Sequence, residues 1–159
     1  MGDIFLKKVD ENDFPIMKHL ALKCPPLDVH TSYTYWVVSK LFGEYCFLAR
    51  DGEKPIGYIM CVRNDSILLI WQIGILKEYR KKGISKLLIE AVFDNIKDKN
   101  IDVYVTISDT NKDSYYSFYN FCLVNNYSFL KIDYISIDDI DDDMFTEQEY
   151  VYKINKIKS

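Results

Sequence analysis

The spacing of apolar and polar residues predicts a strand followed by two helices at the start of the chain. Residues 4–9 form a short apolar run typical of a strand, and the segment after the Asn-Asp pair at 12–13 carries apolar residues at helical spacing. The Pro-Pro pair at 25–26 ends this first helix. The aromatic stretch TSYTYWVVSKLF is predicted to be a second helix that begins near Thr31, although its tyrosines and valines would also suit a strand.

The middle of the chain predicts an antiparallel sheet. EYCFLAR and PIGYIMCV flank the turn DGEK, which is typical of a hairpin, and SILLIWQIGIL is a third apolar run, too continuous to have one face in water. The rest predicts two amphipathic helices, SKLLIEAVFDNIKDK and NKDSYYSFYNFCLVNN, and three strands, IDVYVTIS, YSFLKIDYISI and EQEYVYKINKI. The order β-α-α-β-β-β-α-β-α-β-β predicts an α/β fold of the α+β type. Its mixed, mostly antiparallel sheet has about seven strands flanked by about four helices.

Composition narrows the class of protein. A chain of 159 residues with 48% apolar residues predicts one domain over residues 1–159, and its net charge of -4 argues against a nucleic-acid surface. The four cysteines show no C-x-x-C spacing, which favours free thiols in the cytoplasm and no metal site. No apolar run is long enough to cross a membrane, and the N-terminal stretch lacks the apolar core of a signal peptide.

The stretch KEYRKKGIS, residues 77–85, gathers four cationic side chains around Gly83 between an apolar strand and an apolar helix. The N–H groups at a helix start have no partner within the helix, and glycine lets the backbone approach an anion closely. Arg80, Lys81 and Lys82 would add positive charge to such a phosphate cradle. The pattern is neither a Walker loop nor G-x-G-x-x-G, and a solvated basic helix start is the alternative interpretation.

In this context, Arg80-x-x-Gly83-x-Ser85 resembles the R/Q-x-x-G-x-G/A motif of the GNAT superfamily of acyl-CoA-dependent N-acetyltransferases, with serine as the last small residue. DVYVTIS and NKDSYYSFY are similar to the strand and the Asn-containing helix that follow the motif in that family. The resemblance implies acetyl-CoA as the acetyl donor and a fourth strand that diverges from its neighbour, and Gly74 is consistent with such an irregular strand. The cofactor residues that it implies are Ile73, Gly74, Ile75, Arg80, Lys81, Lys82, Gly83, Ile84, Ser85 and Asn111. Asn111 would bond the pantetheine arm, cap its helix, or do both.

Three segments are similar to the L-2,4-diaminobutyrate acetyltransferases, the first enzymes of ectoine synthesis: PPLDVHTSYTYW, ILLIWQIGILKEYRKKGISKLL and VTISDTNKDSYYSFYNF. This resemblance implies transfer to the side-chain amine of L-2,4-diaminobutyrate by a homodimer. Asp28 and Glu149 would hold the cationic amino groups, while Trp71 and Tyr33 would wall the acceptor site. Each of these residues also has a simpler interpretation, because surface acids are usually solvated and a mid-sheet tryptophan usually packs in the core.

The chain departs from the pattern of the diaminobutyrate enzymes at two positions. Thr146 stands where they have a histidine, and His30 stands where they often have an asparagine. Phe118 occupies the place of the tyrosine that protonates the leaving thiolate in many GNAT enzymes, and the diaminobutyrate enzymes also tend to have phenylalanine there. Tyr119, one residue on, points about 100° away on the helix and cannot simply substitute, whereas Tyr115 and Tyr116 are available. A missing acid slows transfer without abolishing it, because thiols have a pKa near ~8.5 and leave readily.

Two further classes of function stay open from the sequence. A protein, peptide or polyamine N-acetyltransferase would use the same cofactor motif, and the acidic stretch DDIDDD at 138–143 would attract either a basic peptide or a diamine. Such acidic runs are also common in solvated loops. A non-catalytic acyl-CoA-binding sensor is the other class, and Phe118 is its main support.

Overall fold

The computed structural model describes residues 2–98, 100–136 and 148–157. Its helices are α1 (Phe14–Leu22), α2 (Ser32–Phe42), α3 (Ile84–Asn95) and α4 (Lys112–Asn125). Its strands are β1 (Ile4–Lys8), β2 (Phe47–Asp51), β3 (Lys54–Arg63), β4 (Ile67–Ile75), β5 (Asp102–Ser108), β6 (Tyr127–Ile135) and β7 (Glu149–Lys156). The predicted order of helices and strands is confirmed along the described chain.

All seven strands form one sheet in the order β1-β2-β3-β4-β5-β7-β6. Every neighbouring pair is antiparallel except β4 and β5, which are parallel. Helices α1 and α2 pack against each other and on β3, while α3 packs on β2, β3 and β4 and contacts α4, which also packs on β6. The predicted α+β class with a mixed, mostly antiparallel sheet is confirmed.

Local capping explains where two of the helices begin. The Thr31 hydroxyl accepts a hydrogen bond from the Thr34 N–H at 3.2 Å, and the Asn111 side chain accepts one from the Ser114 N–H at 3.2 Å. Each bond satisfies an N–H group that has no partner within its own helix. The aromatic segment after Thr31 is therefore a helix, and its Tyr35 and Val38 side chains are buried in the core.

The pairing of β4 and β5 stops halfway along both strands. Ile67–Ile70 pair with Asp102–Val105, yet β4 continues to Ile75 and β5 continues to Ser108. A bulge in β4 accompanies this divergence, because Met60 and Cys61 of β3 face Gln72 and Ile70 and leave Trp71 without a partner in the register. The divergence opens the sheet between the carboxyl ends of its two parallel strands.

The irregularity of β4 lies at Trp71 rather than at Gly74. Gly74 itself pairs in regular register with Tyr58. A Cβ at Gly74 would lie 2.9 Å from the Tyr58 ring, 3.0 Å from Leu27 Cδ1 and 3.3 Å from Cys24 Sγ. The glycine is needed because these side chains pack directly on the strand backbone.

Candidate active site

A cleft of about 560 Å³ opens where β4 leaves β5. Its walls are the carboxyl end of β4, the start of α3, one side of α4 and residues 24–27. Nine of the ten residues predicted to bind the cofactor line this cleft: Ile73, Gly74, Ile75, Arg80, Lys81, Gly83, Ile84, Ser85 and Asn111. Lys82 is not among the lining residues, and its ammonium lies 5.6 Å from the centre of the Tyr79 ring.

The start of α3 forms one end of the cleft. Gly83 has a φ of +81° in the left-handed region, and the space that a Cβ would occupy there is open for 4 Å. The first helical bond runs from the Leu87 N–H to the Gly83 carbonyl, so the preceding N–H groups at 84–86 have no acceptor within the helix. Ile84, Ser85 and Lys86 all line the cleft. Such a helix start favours an anion.

Arg80 connects two walls of the cleft. Its Nε donates to the Ile75 carbonyl at 3.0 Å, and its Nη1 lies 3.8 Å from Asp113 Oδ2 in the first turn of α4. The guanidinium therefore joins the end of β4 to the start of α4, in addition to placing positive charge beside the cleft. Sequence reasoning considered only that charge.

The α4 wall carries Asn111 at its start. Asn111 caps α4 and lines the cleft, so the capping role expected for it is observed. One turn further on, Ser117 lies 3.2 Å from Ser85 through their hydroxyl oxygens, which connects α4 to the start of α3. Phe118 is fully buried in the core, whereas Tyr116 lines the cleft and is 57% exposed.

Cys24 lies in the cleft wall beside Gly74, a placement that sequence reasoning missed. Burial raises the pKa of its thiol, and the nearby Arg80 guanidinium opposes this shift. The thiol therefore stays protonated at neutral pH. Cys24 is therefore part of an apolar wall and does not act as a nucleophile, because only the thiolate attacks carbonyl groups efficiently.

Next to the bulge in β4, Gln72 holds the loop that carries Asp28. The Gln72 amide donates to the Asp28 carbonyl at 2.6 Å, and its oxygen accepts from the Tyr35 and Tyr58 hydroxyls at 3.0 and 2.8 Å. Burial raises the pKa of both tyrosines, so they remain neutral donors. The His30 N–H donates in turn to the Tyr35 oxygen at 3.4 Å. This group of residues, the Gln72 network, attaches residues 28–30 to β4 next to the bulge.

Sequence reasoning missed the two tyrosines that bond to Gln72. A signal was present, because Gln72 is the one polar residue in the otherwise apolar run ILLIWQIGIL. A glutamine in a buried strand needs hydrogen-bond partners, since an unpaired amide in the core is costly.

The structure places Trp71 and Tyr33, the two residues predicted to wall the acceptor site, in different surroundings. The Trp71 ring packs against His30 at 4.8 Å between ring centres, whereas Tyr33 is 72% exposed and stacks on Trp36 at 6.0 Å. Tyr33 and the buried Tyr35 are two positions apart on α2, and their side chains therefore point about 200° apart around the helix. Because Tyr35 faces the core, Tyr33 faces outward.

The opening has two sides, the β4 arm and the β5 arm, formed by the parts of these strands that continue beyond their last shared pair. Glu149 lies on the β5 arm. It begins β7, where it pairs with Ser108 at the end of β5 and with Ile135 of β6, and it is half-buried. Asp28 is held on the β4 arm, so the two predicted acids come from opposite sides of the opening. Thr146 and the acidic stretch at 138–143 lie outside the described residues.

Comparison with known proteins now decides the family. The profile described as the acetyltransferase (GNAT) family matches residues 14–121. The chain belongs to the GNAT family. The resemblance inferred from the Arg80-x-x-Gly83-x-Ser85 motif is thus confirmed, and the divergence of β4 from β5 is the feature that this resemblance implied.

Two relatives of the chain are named L-2,4-diaminobutyric acid acetyltransferase. The chain is 33% identical to the one from Streptomyces coelicolor over 126 residues, which cover 76% of this chain and 74% of that protein. It is 32% identical to the one from Shouchella clausii over 113 residues, 69% of this chain. The matched stretch spans only 63% of the Shouchella protein.

A solved structure from Paenibacillus lautus has the same fold. It is a diaminobutyrate acetyltransferase in complex with L-2,4-diaminobutyric acid and coenzyme A, and it superimposes with a TM-score of 0.88 at 18% identity. The match covers 100% of this chain and 98% of that one.

Within 2–98, 100–136 and 148–157, no three His, Cys, Asp or Glu residues are grouped so that they could hold a metal ion. Over the same residues, no helix is long and apolar enough to span a membrane.

Proposed function

We propose that this GNAT protein transfers acetyl from acetyl-CoA to the side-chain amine of L-2,4-diaminobutyrate. The observation that carries the proposal is the opening between β4 and β5, with an anion-binding helix start at the cleft and the Asp28 loop bonded to β4 beside the bulge. The named activities of the Streptomyces and Shouchella relatives support this choice of acceptor.

The cleft residues fit coenzyme A. The N–H groups at the start of α3, with the left-handed Gly83 and the Lys81 ammonium beside them, suit a pyrophosphate. The backbone of β4 beyond Ile70 has no β5 partner in the described register, and residues 73–75 line the cleft. Their N–H groups would hold the pantetheine arm and the thioester carbonyl, where negative charge develops during transfer.

The first prediction concerns the glycine at the helix start. Gly83→Ala should raise the KM for acetyl-CoA about tenfold, because alanine resists the left-handed backbone and its Cβ would fill the space that the phosphates need. Gly52→Ala is the matched control: Gly52 also has a positive φ, +59°, with open space around it, but it lies in the β2–β3 turn outside the cleft. Steady-state kinetics and thermal melts of both variants test this, and an equal KM effect in both would contradict it.

The acceptor must lose a proton before it can attack the thioester, since an alkyl ammonium has a pKa near ~10. Diaminobutyrate carries two amino groups, so one can be held as a cation while the other reacts. We assign the holding role to Asp28 and Glu149, which lie on the two arms of the opening. Because the Phe118 side chain has no acidic proton to donate, the departing thiolate takes its proton from water or from the acceptor nitrogen.

The test of the proposed function is release of coenzyme A from acetyl-CoA with a panel of amines. The panel contains L-2,4-diaminobutyrate, ornithine, lysine, a polyamine and a basic peptide, and NMR of the product locates the acetyl group. We expect diaminobutyrate to be preferred and to carry the acetyl on its side-chain nitrogen. Preference for the peptide or the polyamine would overturn the assignment of diaminobutyrate as the acceptor. Tight binding of coenzyme A without transfer to any amine would indicate a sensor.

The Asp28→Asn variant tests the role of one residue with the same assay. Loss of the charge should raise the KM for diaminobutyrate about 10- to 100-fold, because a charged partner contributes roughly 1.5–3 kcal/mol. Asp65→Asn is the matched control, since Asp65 is an exposed acid in the β3–β4 turn. An unchanged KM in Asp28→Asn would remove this residue from the site.

Other parts of the proposal are the assembly, the compartment and the extent of the domain. We propose a homodimer, supported by apolar side chains exposed on the edge strand β6, Leu130 and Ile132 among them. Light scattering should give twice the chain mass of 18.8 kDa.

All four cysteines are free thiols, which supports a cytoplasmic protein. A single domain over residues 1–159 and a place in ectoine synthesis stay predictions.

A further inference from the structure

His30 packs on β4 at the bulge where this strand begins to part from β5. Its ring centre is 4.8 Å from that of Trp71, the bulged residue of β4, and 6.1 Å from that of Tyr35. The backbone of His30 donates to the Tyr35 hydroxyl, which belongs to the Gln72 network, so both the loop and the ring are held in place. The imidazole is half-buried and follows Asp28 by two residues.

The surroundings of His30 keep its imidazole neutral. Burial lowers the pKa of His30, and the Asp28 carboxylate opposes this shift. Asp28 from the same loop and Tyr35 from α2 are the titratable groups that face the ring from the described residues, while β4 contributes the indole of Trp71, which does not titrate. Because the pKa of Tyr35 is raised, Tyr35 is neutral as well. A neutral imidazole beside a carboxylate can accept a proton and be stabilised as imidazolium.

We propose that His30 contacts the acceptor amine and acts as the base that deprotonates its ammonium. This inference rests on the proposed function, because it assigns a role within the same site. The tertiary position of the ring is the basis of this inference: the loop bearing Asp28 and the bulge at Trp71 together hold an imidazole at the point where β4 begins to part from β5.

The proton and bond changes balance. One proton moves from the acceptor ammonium to the imidazole nitrogen of His30, and the free amine nitrogen then bonds to the thioester carbonyl carbon. The C–S bond breaks, and the second proton on that nitrogen passes to the thiolate to give the coenzyme A thiol. His30 returns its proton to solvent. The step needs no oxidant, reductant or further reactant.

The test compares His30→Asn with His19→Asn across about pH 5 to 8, using diaminobutyrate as the acceptor. His19 is the other histidine of the chain and lies near the end of α1, which makes its replacement the matched control. We expect kcat/KM of His30→Asn to fall about 10²-fold and its decline at acid pH to disappear. His19→Asn should keep the wild-type rate and profile. A His30→Asn variant that keeps the wild-type acid limb would overturn the inference.

A second measurement does not depend on turnover. In the His19→Asn background, the remaining histidine gives a single imidazole Cε1–H resonance, whose NMR titration reports His30 alone. Adding diaminobutyrate should displace this titration, because an ammonium group of the ligand placed beside the ring disfavours the imidazolium. An unchanged titration with bound diaminobutyrate would overturn the contact. The failures are distinguishable: a wild-type protein that acetylates no amine overturns the proposed function, whereas an active wild type with an unchanged His30→Asn profile overturns only the role of His30.

Discussion

Gln72→Leu is expected to destabilise the protein by about 3 kcal/mol or more and to raise the KM for the acceptor about 10²-fold. The substitution leaves the buried Tyr35 and Tyr58 hydroxyls without their acceptor, and it releases the Asp28 carbonyl from its donor. Each unsatisfied buried group costs about 1–3 kcal/mol. Chemical denaturation measures the loss of stability, and kinetics with varied acceptor and varied acetyl-CoA measure the two KM values separately.

The control for this prediction removes the orphaned hydroxyls. Tyr35→Phe and Tyr58→Phe should each cost stability in the wild type, but should cost less or be neutral in the Gln72→Leu background, because both partners of each bond are then apolar. The KM for acetyl-CoA should change little, since the Gln72 network holds the Asp28 loop and not the start of α3. Strictly additive effects of the three substitutions would show that the network is not coupled.

Gly74→Val is expected to destabilise the protein by about 1–3 kcal/mol and to impair transfer severely. Its Cβ alone would lie 2.9 Å from the Tyr58 ring and 3.0 Å from Leu27, and valine adds two methyl groups. Because residues 24–27 form a wall of the cleft, relief of these contacts must move that wall or the β4 backbone. Both movements disturb the groups proposed to hold the thioester.

The Gly74 prediction is tested by a compensating pair. Gly74→Ala combined with Leu27→Ala should be more stable than the sum of the single effects allows, with a coupling of about 0.5–3 kcal/mol, because the shortened side chain makes room for the new Cβ. Denaturation of the four proteins in this cycle measures the coupling. A Gly74→Val variant with wild-type stability and turnover would show that the packing around β4 yields without cost.

Local sequence was sufficient for the parts of the fold that depend on near neighbours. The β2–β3 turn was predicted from DGEK, and Gly52 has the positive φ that such a turn needs. The start of α3 was predicted from the position of Gly83, which takes the left-handed conformation. Asn111 caps α4 through a bond that spans three residues. In each case the determining contacts lie within one turn of chain.

Local sequence was not sufficient to predict the arrangement of the residues on the acceptor side. Resemblance selected Tyr33, but the structure buries Tyr35, which bonds to Gln72 across 37 positions of the chain. The bond from Gln72 to the Asp28 carbonyl spans 44 positions. Nothing near Tyr33 in the sequence states which side of α2 will face the sheet, because that depends on how the whole helix packs on β3.

The sequence by itself determined the order of strands and helices, the glycine turn before α3 and the family to which the chain belongs. Periodicity, caps and motif spacing act over a few residues and can be read directly. Only the tertiary structure decided that β4 parts from β5 after Ile70, that the bulge lies at Trp71 and that His30 packs on it. These features arise when side chains distant in sequence compete for the same buried space, and that competition is settled by the packing of the whole core.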